Sequence, residues 1–360
     1  MKRNACFLLA LFLVMSSAYA GFTFSFGPHE PLYNPTTLDP YGFDGSRLKV
    51  FYMTDSNHMG NNIMIHDGSK QPGQEGYYRI VDYRDFNDDF RLMLNLRMAL
   101  GTSVLRFGWP EWFLADFVVQ GSLNTVFVLA GGTDNLGFDG SIFAGGEVRL
   151  FDMFSLKAGI RHYSGHTGDE IIGDAMGDVG HTNWGVVDYV RDNMLEFALG
   201  YDGIEYFDIW CSFIMPQPGM WWAPYFHQPD WIHTTGGNPT YTPDRNPGEW
   251  AVRGPYGDGY GAYIIQLDAN VRYPFLDKYE VYGSVEMKFH QDGMTMHTLT
   301  PTDDTDKWEM EISAALGFTF SNVTENMNLS FELGYHNGRF PLLNFFWKRI
   351  EAFSFSIKIH

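Results

Sequence analysis

Long stretches of the chain alternate apolar and polar residues one by one. In 90–100 every second residue is apolar, while Arg91 and Arg97 lie between the apolar positions. The same alternation runs through 307–320 and 350–359. A period of two residues is typical of β-strands that have one apolar and one polar face. The pattern therefore predicts an all-β protein.

Candidate strands are distributed over most of the chain. They are 46–53, 90–101, 103–109, 113–120, 124–131, 141–151, 153–166, 184–201, 204–214, 260–273, 279–291, 307–320, 326–337 and 350–359. If these strands form a bacterial single-chain transmembrane barrel, in which the strand number is even, we expect about 12 of them, within a range of about 10 to 14. The connections alternate between short turns rich in Gly, Asp or Asn and longer insertions.

The polar face of these strands is charged, and the strands are long. In a soluble β-sandwich such a face would contact solvent, whereas in a transmembrane barrel it would line the lumen. Many candidate strands reach about 9 to 14 residues, which exceeds the mode of soluble sheets and suits a tilted membrane strand. Aromatic residues such as Trp109 and Tyr279 lie near strand ends, where interfacial girdles form. We predict an antiparallel transmembrane β-barrel, with a soluble secreted β-sandwich as the alternative.

The first twenty residues have the organisation of a secretory signal peptide. Lys2 and Arg3 precede an apolar run over 6–15, and an Ala-x-Ala sequence ends at Ala20. We expect cleavage after Ala20 and localisation in the outer membrane. Cleavage would change the net charge from −19 to 22 − 43 = −21 and leave Cys211 as the one cysteine of the mature sequence.

The remaining sequence divides into an N-terminal arm and one barrel domain. Residues 21–45 are rich in Pro, which predicts an irregular periplasmic arm. Residues 46–360 form the barrel domain, and its longest insertion lies at about 215–259. This insertion contains many Trp, Tyr and His residues among Pro and Gly. Its rings could stack on a sugar or another ligand, or pack on each other as a plug or lid.

Composition narrows the class of partner. The acidic balance argues against a nucleic-acid partner, because phosphate binding requires a basic surface. The 31 Phe, 20 Tyr and 10 Trp residues argue against disorder, and 2 Cys residues exclude a disulfide framework. The expected partners are outer-membrane lipid and the barrel-assembly machinery, and the oligomeric state stays open.

One segment, 160–170, carries residues suited to chemistry: Ile-Arg-His-Tyr-Ser-Gly-His-Thr-Gly-Asp-Glu. On a strand, His162, Ser164 and His166 share one face, and Arg161 lies on the opposite, luminal face. The segment therefore predicts a Ser and two His residues at the lipid-facing rim of the barrel.

A His within hydrogen-bond reach of a Ser hydroxyl is the minimum for an activated nucleophile. The pair His162 and Ser164 resembles two barrel lipid hydrolases, outer-membrane phospholipase A and lipid A deacylase. The resemblance implies a third residue, Asn or Glu, twelve positions after the Ser. That position is Met176 here, which cannot orient a His, so Glu170 is the candidate third residue of the catalytic set.

A metal site is the alternative for the same segment, since His and carboxylate ligands suit Zn²⁺ and similar ions. The alternative ligand set is His162, His166, Asp169 and Glu170. Two acidic loops, 85–89 and 303–306, could also hold a divalent cation, although solvated charge is the simpler interpretation. In the third interpretation, Gly165 and Gly168 shape a turn and the polar side chains make structural hydrogen bonds.

The His-x-Ser-x-His-x-Gly-Asp-Glu segment also resembles an uncharacterised family of predicted bacterial outer-membrane β-barrel proteins. The resemblance extends to the stretch 183–201 and to the aromatic C-terminal stretch 335–360. It implies a barrel and supplies no activity.

Three functional hypotheses follow from the sequence. The first is an integral outer-membrane barrel without a cofactor, acting as a structural protein or as a narrow channel for an unknown ligand. Opposite charges around the lumen could pair and close it, which argues against a wide general porin. The second is a lipid hydrolase that uses Ser164 and His162, and the third is a soluble secreted sandwich.

Overall fold

A computed structural model describes most of the barrel and parts of its loops. The described residues are 21–33, 35–54, 62–67, 78–82, 91–129, 135–168, 184–186, 192–216, 232–235, 238–241, 263–276, 278–291, 308–324, 327–343 and 349–360. Within them, no helix is long and apolar enough to cross a bilayer. The predicted signal peptide (1–20), the acidic loops 85–89 and 303–306, and the rings of the 215–259 insertion lie outside the described residues.

Twelve of the strands in the described part of the chain close into an antiparallel ring. They are β2 (Ser46–Met53), β5 (Leu92–Trp109), β6 (Phe113–Val128), β7 (Asn135–Leu150), β8 (Phe154–Thr167), β10 (Asp192–Ile204), β11 (Phe207–Pro216), β14 (Tyr263–Pro274), β15 (Tyr279–Gln291), β16 (Glu309–Thr324), β17 (Met327–Arg339) and β18 (Arg349–Ile359). Around the ring, β2 lies between β18 and β5, and the pairing of β5 with β6 closes it. The barrel prediction is confirmed, and the alternative of a β-sandwich was wrong.

The described residues contain six further strands that are not members of this ring of twelve. They are β1 (Thr23–His29), β3 (Asn62–Asp67), β4 (Tyr78–Asp82), β9 (Trp184–Val186), β12 (Ile232–Thr235) and β13 (Asn238–Tyr241). In the loops, β3 pairs with both β4 and β9, and β12 pairs with β13.

Two pairs of candidate strands are single long strands in the structure. The segments 90–101 and 103–109 form β5, because a bulge between Ser103 and Leu105 shifts the register without ending the strand. Val104 and Leu105 are therefore consecutive residues that both point outward. Odd-numbered residues face the lumen before the bulge, and even-numbered residues face it afterwards. The segment 113–120 and the first part of 124–131 likewise belong to one strand, β6, which ends at Val128.

The two ends of the barrel differ in their connections. Short turns join β5 to β6, β7 to β8, β10 to β11, β14 to β15 and β16 to β17. The longer insertions, which include β3, β4, β9, β12 and β13, are all at the opposite end. In transmembrane barrels the short turns are periplasmic, so the long loops belong to the extracellular end.

The distribution of side chains is inverted relative to a soluble protein. Charged residues of the strands are buried inside the ring, such as Lys358 at 1% exposure. Large apolar residues point outward, such as Leu316 at 73% and Leu333 at 67% exposure. An apolar exterior around a polar, ion-paired interior is the arrangement that a lipid bilayer requires.

Aromatic rings gather where strands end at the short turns. Trp109 and Trp112 stack with ring centroids 5.0 Å apart, and Phe154 lies 5.1 Å from Tyr201. Such rings suit the interface between hydrocarbon and water. The predicted aromatic girdle is therefore present at this end.

The N-terminal segment differs from the predicted irregular periplasmic arm. Residues Thr23–His29 form β1, which pairs with the lower half of β5, so that β1 and β2 occupy the same side of β5 one after the other. The described residues of 30–45, which are 30–33 and 35–45 and are here called the luminal arm, then enter the barrel before β2 begins, and Asp39 and Asp44 are buried there. The backbone is irregular, as predicted, in the described residues of 30–45, but 23–29 form a strand. Proline content marks irregular backbone and does not say where that backbone packs.

Candidate functional site

The luminal arm makes a tight turn inside the barrel, held by its own side chains. The Tyr41 amide donates to Asp39 Oδ1 at 3.0 Å, and the Gly42 amide donates to the Asp39 carbonyl at 3.1 Å. Asp in this position is a common turn former. A Cβ on Gly42 would lie 2.2 Å from Thr37 Cγ2, so the turn has no room for a larger residue.

Asp39 connects the turn to two strands of the wall. Lys288 Nζ on β15 donates to Asp39 Oδ1 at 2.6 Å, and Arg161 Nη2 on β8 lies 3.8 Å from Oδ2. Burial alone would raise the pKa of the Asp39 carboxyl, but Lys288 and Arg161 outweigh it and lower the pKa. The carboxylate is therefore charged and fixed between two sides of the lumen.

Asp44 connects the end of the arm to a different part of the wall. Arg97 Nη2 on β5 donates to Asp44 Oδ1 at 2.6 Å, and Lys358 Nζ on β18 donates to Oδ2 at 2.5 Å. Burial would raise the pKa of the Asp44 carboxyl, but Arg97, Lys358 and Arg47 hold it well below its usual range. The amide of Thr37 also donates to Oδ2 at 3.1 Å, which ties the carboxylate to the arm.

Aromatic contacts anchor the arm further along the wall. The Tyr33 ring meets Trp210 of β11 edge to face at 6.3 Å and lies over Gly200 of β10, where a Cβ would come within 2.8 Å of the ring. The Tyr33 amide donates to Glu147 of β7 at 3.0 Å. Phe43 lies beneath the Arg161 guanidinium at 4.8 Å, a cation–π contact.

A second segment enters the lumen from the extracellular end, and Asp139 joins it to the arm. Asp139 Oδ2 accepts from the Tyr41 hydroxyl at 3.0 Å and from the Leu343 amide at 2.8 Å. Asn124 donates to the Pro341 carbonyl at 2.6 Å. The described residues after β17, 340–343, therefore lie over the arm.

The upper lumen contains a polar cluster that sequence reasoning missed. His336 Nε2 donates to the Arg339 carbonyl at 2.9 Å, which leaves Nδ1 to accept from Ser313 at 3.0 Å. Glu311 contacts His290 and accepts from the Arg339 amide at 3.0 Å. These residues come from three separate strands and meet through the registers of β15, β16 and β17, so no local motif marks them.

The predicted His-x-Ser segment lies on β8, and its orientation is as expected. His162, Ser164 and His166 are partly exposed on the outer face, whereas Arg161 and Tyr163 are buried in the lumen. Ser164 lies opposite Gly140 of β7, and a Cβ there would come within 2.9 Å of Ser164 Oγ. The serine thus lies on the lipid-facing side, next to a glycine that has no side chain to cover it.

The strand register identifies a further residue beside this pair. Asn193 of β10 is the cross-strand partner of His162, although 31 positions separate the two numbers. Glu170, the predicted third catalytic residue, lies outside the described residues, as does Met176. Sequence spacing could not find Asn193, because the insertion between β8 and β10 sets the distance along the chain.

The predicted metal set is only partly described. His162 and His166 are four residues apart on one strand, which separates their Cα atoms by about 13 Å. His166 stacks on Phe138 with ring centroids 4.7 Å apart. Asp169 and Glu170 lie outside the described residues. In the described part of the chain, no group of three His, Cys, Asp or Glu residues has a geometry that could hold a metal ion.

No protein-family model and no curated protein matches the chain. Solved structures of membrane barrels are similar at low identity. The NanC porin is 9% identical with a TM-score of 0.38, covering 88% of this chain and 99% of that chain. The outer membrane phospholipase dimer of Salmonella typhi with bound calcium is 10% identical with a TM-score of 0.44, covering 91% and 94%.

A translocator domain gives a third similarity. The domain belongs to the autotransporter NalP from Neisseria meningitidis and is 10% identical with a TM-score of 0.39, covering 88% of this chain and 87% of that chain. Scores and identities this low carry no statement about what this chain binds or catalyses. The description as a barrel rests on its own strand pairing.

Proposed function

We propose that this protein is an integral outer-membrane β-barrel whose lumen is closed by its own luminal arm. It serves as a structural membrane protein, or as a narrow channel that opens when the arm moves, and not as an open diffusion pore. The observation that supports this most strongly is the attachment of one short segment to widely separated wall strands. Asp39 binds β15 and β8, whereas Asp44 binds β5 and β18.

Export through residues 1–20 and insertion by the barrel-assembly machinery belong to the same proposal. The apolar exterior and the aromatic girdle support a location in lipid. Membrane fractionation and gel migration with and without heating test it, because folded barrels migrate differently from unfolded ones. Recovery in a soluble fraction, without a heat-dependent shift, would contradict the location.

Conductance across planar lipid bilayers tests the closure. The wild type is expected to be silent, and a double variant, Asp39→Asn with Asp44→Asn, to show conducting steps because the arm loses its ion pairs. Asp152→Asn is the matched control, since this Asp is exposed at a short turn. Steady conductance of the wild type, or a folded double variant that stays silent, would overturn the closure by the arm.

Lipid hydrolysis is the second candidate function, and the register on the outer face favours it. Ser164 would attack the ester carbonyl and form an acyl-serine, while His162 takes the serine proton and passes it to the leaving alcohol. Water then releases the fatty acid and regenerates the serine. Asn193, the register partner of His162 on β10, is the proposed third residue of this set.

Release of labelled fatty acid from phospholipid vesicles tests this candidate. Ser164→Ala and His162→Ala are expected to abolish release, and Asn193→Ala to lower it by reducing the reaction rate. His166→Ala, two positions beyond the serine on the same face, should retain activity. No release by the folded wild type, or equal release by Ser164→Ala, would end the proposal.

A further inference from the structure

Three cations lie side by side on the inner wall of the barrel. The register of β18 and β2 pairs Lys358 with Arg47, and the register of β2 and β5 pairs Arg47 with Arg97. All three side chains are buried in the lumen. We call Lys358, Arg47 and Arg97 the cation row. Like charges directly opposite each other on neighbouring strands repel, so the row needs anions.

One anion of the row belongs to the wall and the other to the luminal arm. Glu332 of β17 contacts Arg47 Nε at 3.2 Å. Asp44 of the arm contacts Arg97 at 2.6 Å and Lys358 at 2.5 Å. The wall by itself therefore places three cations against one contacting carboxylate. The arm supplies the charge that Arg97 and Lys358 require.

Asp44 binds the row as a free carboxylate would. One oxygen accepts from Arg97 and the other from Lys358, so the group bridges two cations on different strands. Charge-assisted hydrogen bonds of this kind are short and strong. The Asp44 side chain consists of one methylene and this carboxylate. The contacts of Arg97 and Lys358 with this side chain are therefore contacts with the carboxylate.

The other attachment of the arm has a different charge balance. Lys288 contacts Asp39 and also Glu286 at 3.4 Å, and Arg161 also contacts Glu196 at 3.2 Å. Both cations keep a wall carboxylate without the arm. Withdrawal of the arm would therefore leave an unbalanced positive site at the cation row and not at the Asp39 site.

We propose that the cation row is a binding site for small carboxylate anions, occupied in this structure by the carboxylate of Asp44. The solute admitted when the luminal arm withdraws is then a carboxylate anion. This inference rests on the proposed closure by the arm and names the class of solute for the same lumen.

Chemical rescue of Asp44→Ala with sodium formate tests the site. The temperature at which the folded barrel loses its fast gel migration is expected to fall by several degrees in the variant. Formate should restore it saturably, while sodium chloride at the same ionic strength should not. Asp39→Ala is the matched control, because its cations keep wall carboxylates and formate should bring no recovery. Adding Arg97→Gln to Asp44→Ala should abolish the rescue.

If Asp44→Ala does not fold, Asp44→Asn in planar bilayers replaces it. Its reversal potential in a sodium formate gradient should report anion selectivity. Absence of rescue, equal rescue by chloride, equal rescue of Asp39→Ala, or cation selectivity would overturn the site. These outcomes differ from a failure of the closure itself, which would appear as conductance of the wild type.

Discussion

Asp39 Oδ1 and Lys288 Nζ lie 2.6 Å apart in the lumen, although 249 positions separate them in the sequence. The contact joins the turn of the luminal arm to β15. Thr37 and Leu38 add hydrogen bonds to Glu286 on the same strand, at 2.8 and 3.1 Å. The arm is therefore a packed part of the barrel interior.

Removal of one partner of this pair should be costly. Lys288→Met leaves Arg161, at 3.8 Å, as the remaining cation that contacts the buried Asp39 carboxylate among the described residues. Breaking a buried ion pair costs about 3–5 kcal/mol. Asp39→Asn combined with Lys288→Met should recover only part of that loss, because the buried Glu286 carboxylate still loses its contact with Lys288. Equilibrium unfolding in urea with lipid vesicles measures both. As a control, Asp152→Asn removes the charge of an exposed partner of Arg149, keeps a residue type that tolerates the left-handed backbone there, and should cost less than about 1 kcal/mol.

Acid should loosen the arm. The pKa of the Asp44 carboxyl is lowered in the folded state because nearby cations outweigh burial. A lowered pKa contributes stability that is fully present above the unfolded pKa of about 3.9 and is lost as the pH falls below it. We expect bilayer conductance to be absent at neutral pH and to increase as the pH falls below about 4. Asp39→Asn with Asp44→Asn should remove most of this dependence, and an unchanged acid response would contradict the assignment.

The barrel could be predicted from the sequence because alternation is local. Each strand shows its two faces within its own residues, as in 90–100. The bulge at Val104 could not be predicted, because an extra outward residue looks like a break between two strands. After the bulge, Arg106 is the first residue whose side chain again faces the lumen, and its Nη2 lies 2.7 Å from Asp116 Oδ2 of β6. This cross-strand ion pair is visible only once the register is known.

The interior could not be predicted for a similar reason. The cation row is formed by residues 47, 97 and 358, and three separate strands bring them together. The sequence of the luminal arm has no regular alternation of apolar and polar residues from which its buried positions could be predicted. Its packing depends on partners that are distributed over the whole chain. The outer-face position of His162 and Ser164 could be predicted, since one strand determines it. Their neighbour Asn193 needed the register of a second strand.

Gly200 should be essential for docking of the arm. Its position faces the Tyr33 ring, and a side chain there would overlap that ring. Gly200→Val should displace Tyr33 and expose the arm to chymotrypsin, which cleaves after aromatic residues. Gly121→Val is the matched control, because the nearest atom to a Cβ there is the Ser141 carbonyl oxygen at 3.9 Å. Equal protection of both variants would show that the Tyr33 contact does not hold the arm.

The outward position of Leu333 gives the most direct test of the lipid-facing exterior. Leu333 lies near the middle of β17 and is 67% exposed. In a bilayer, Leu333→Lys should destabilise the barrel by about 2–4 kcal/mol, because the ammonium would sit near the midplane. Val323 also points outward but lies beside the short turn that follows β16, so Val323→Lys should cost about 0–1 kcal/mol. Unfolding in urea from lipid vesicles measures both values. Equal and small effects would mean that the outer surface does not contact hydrocarbon, because on a water-exposed surface a lysine at either position would be tolerated.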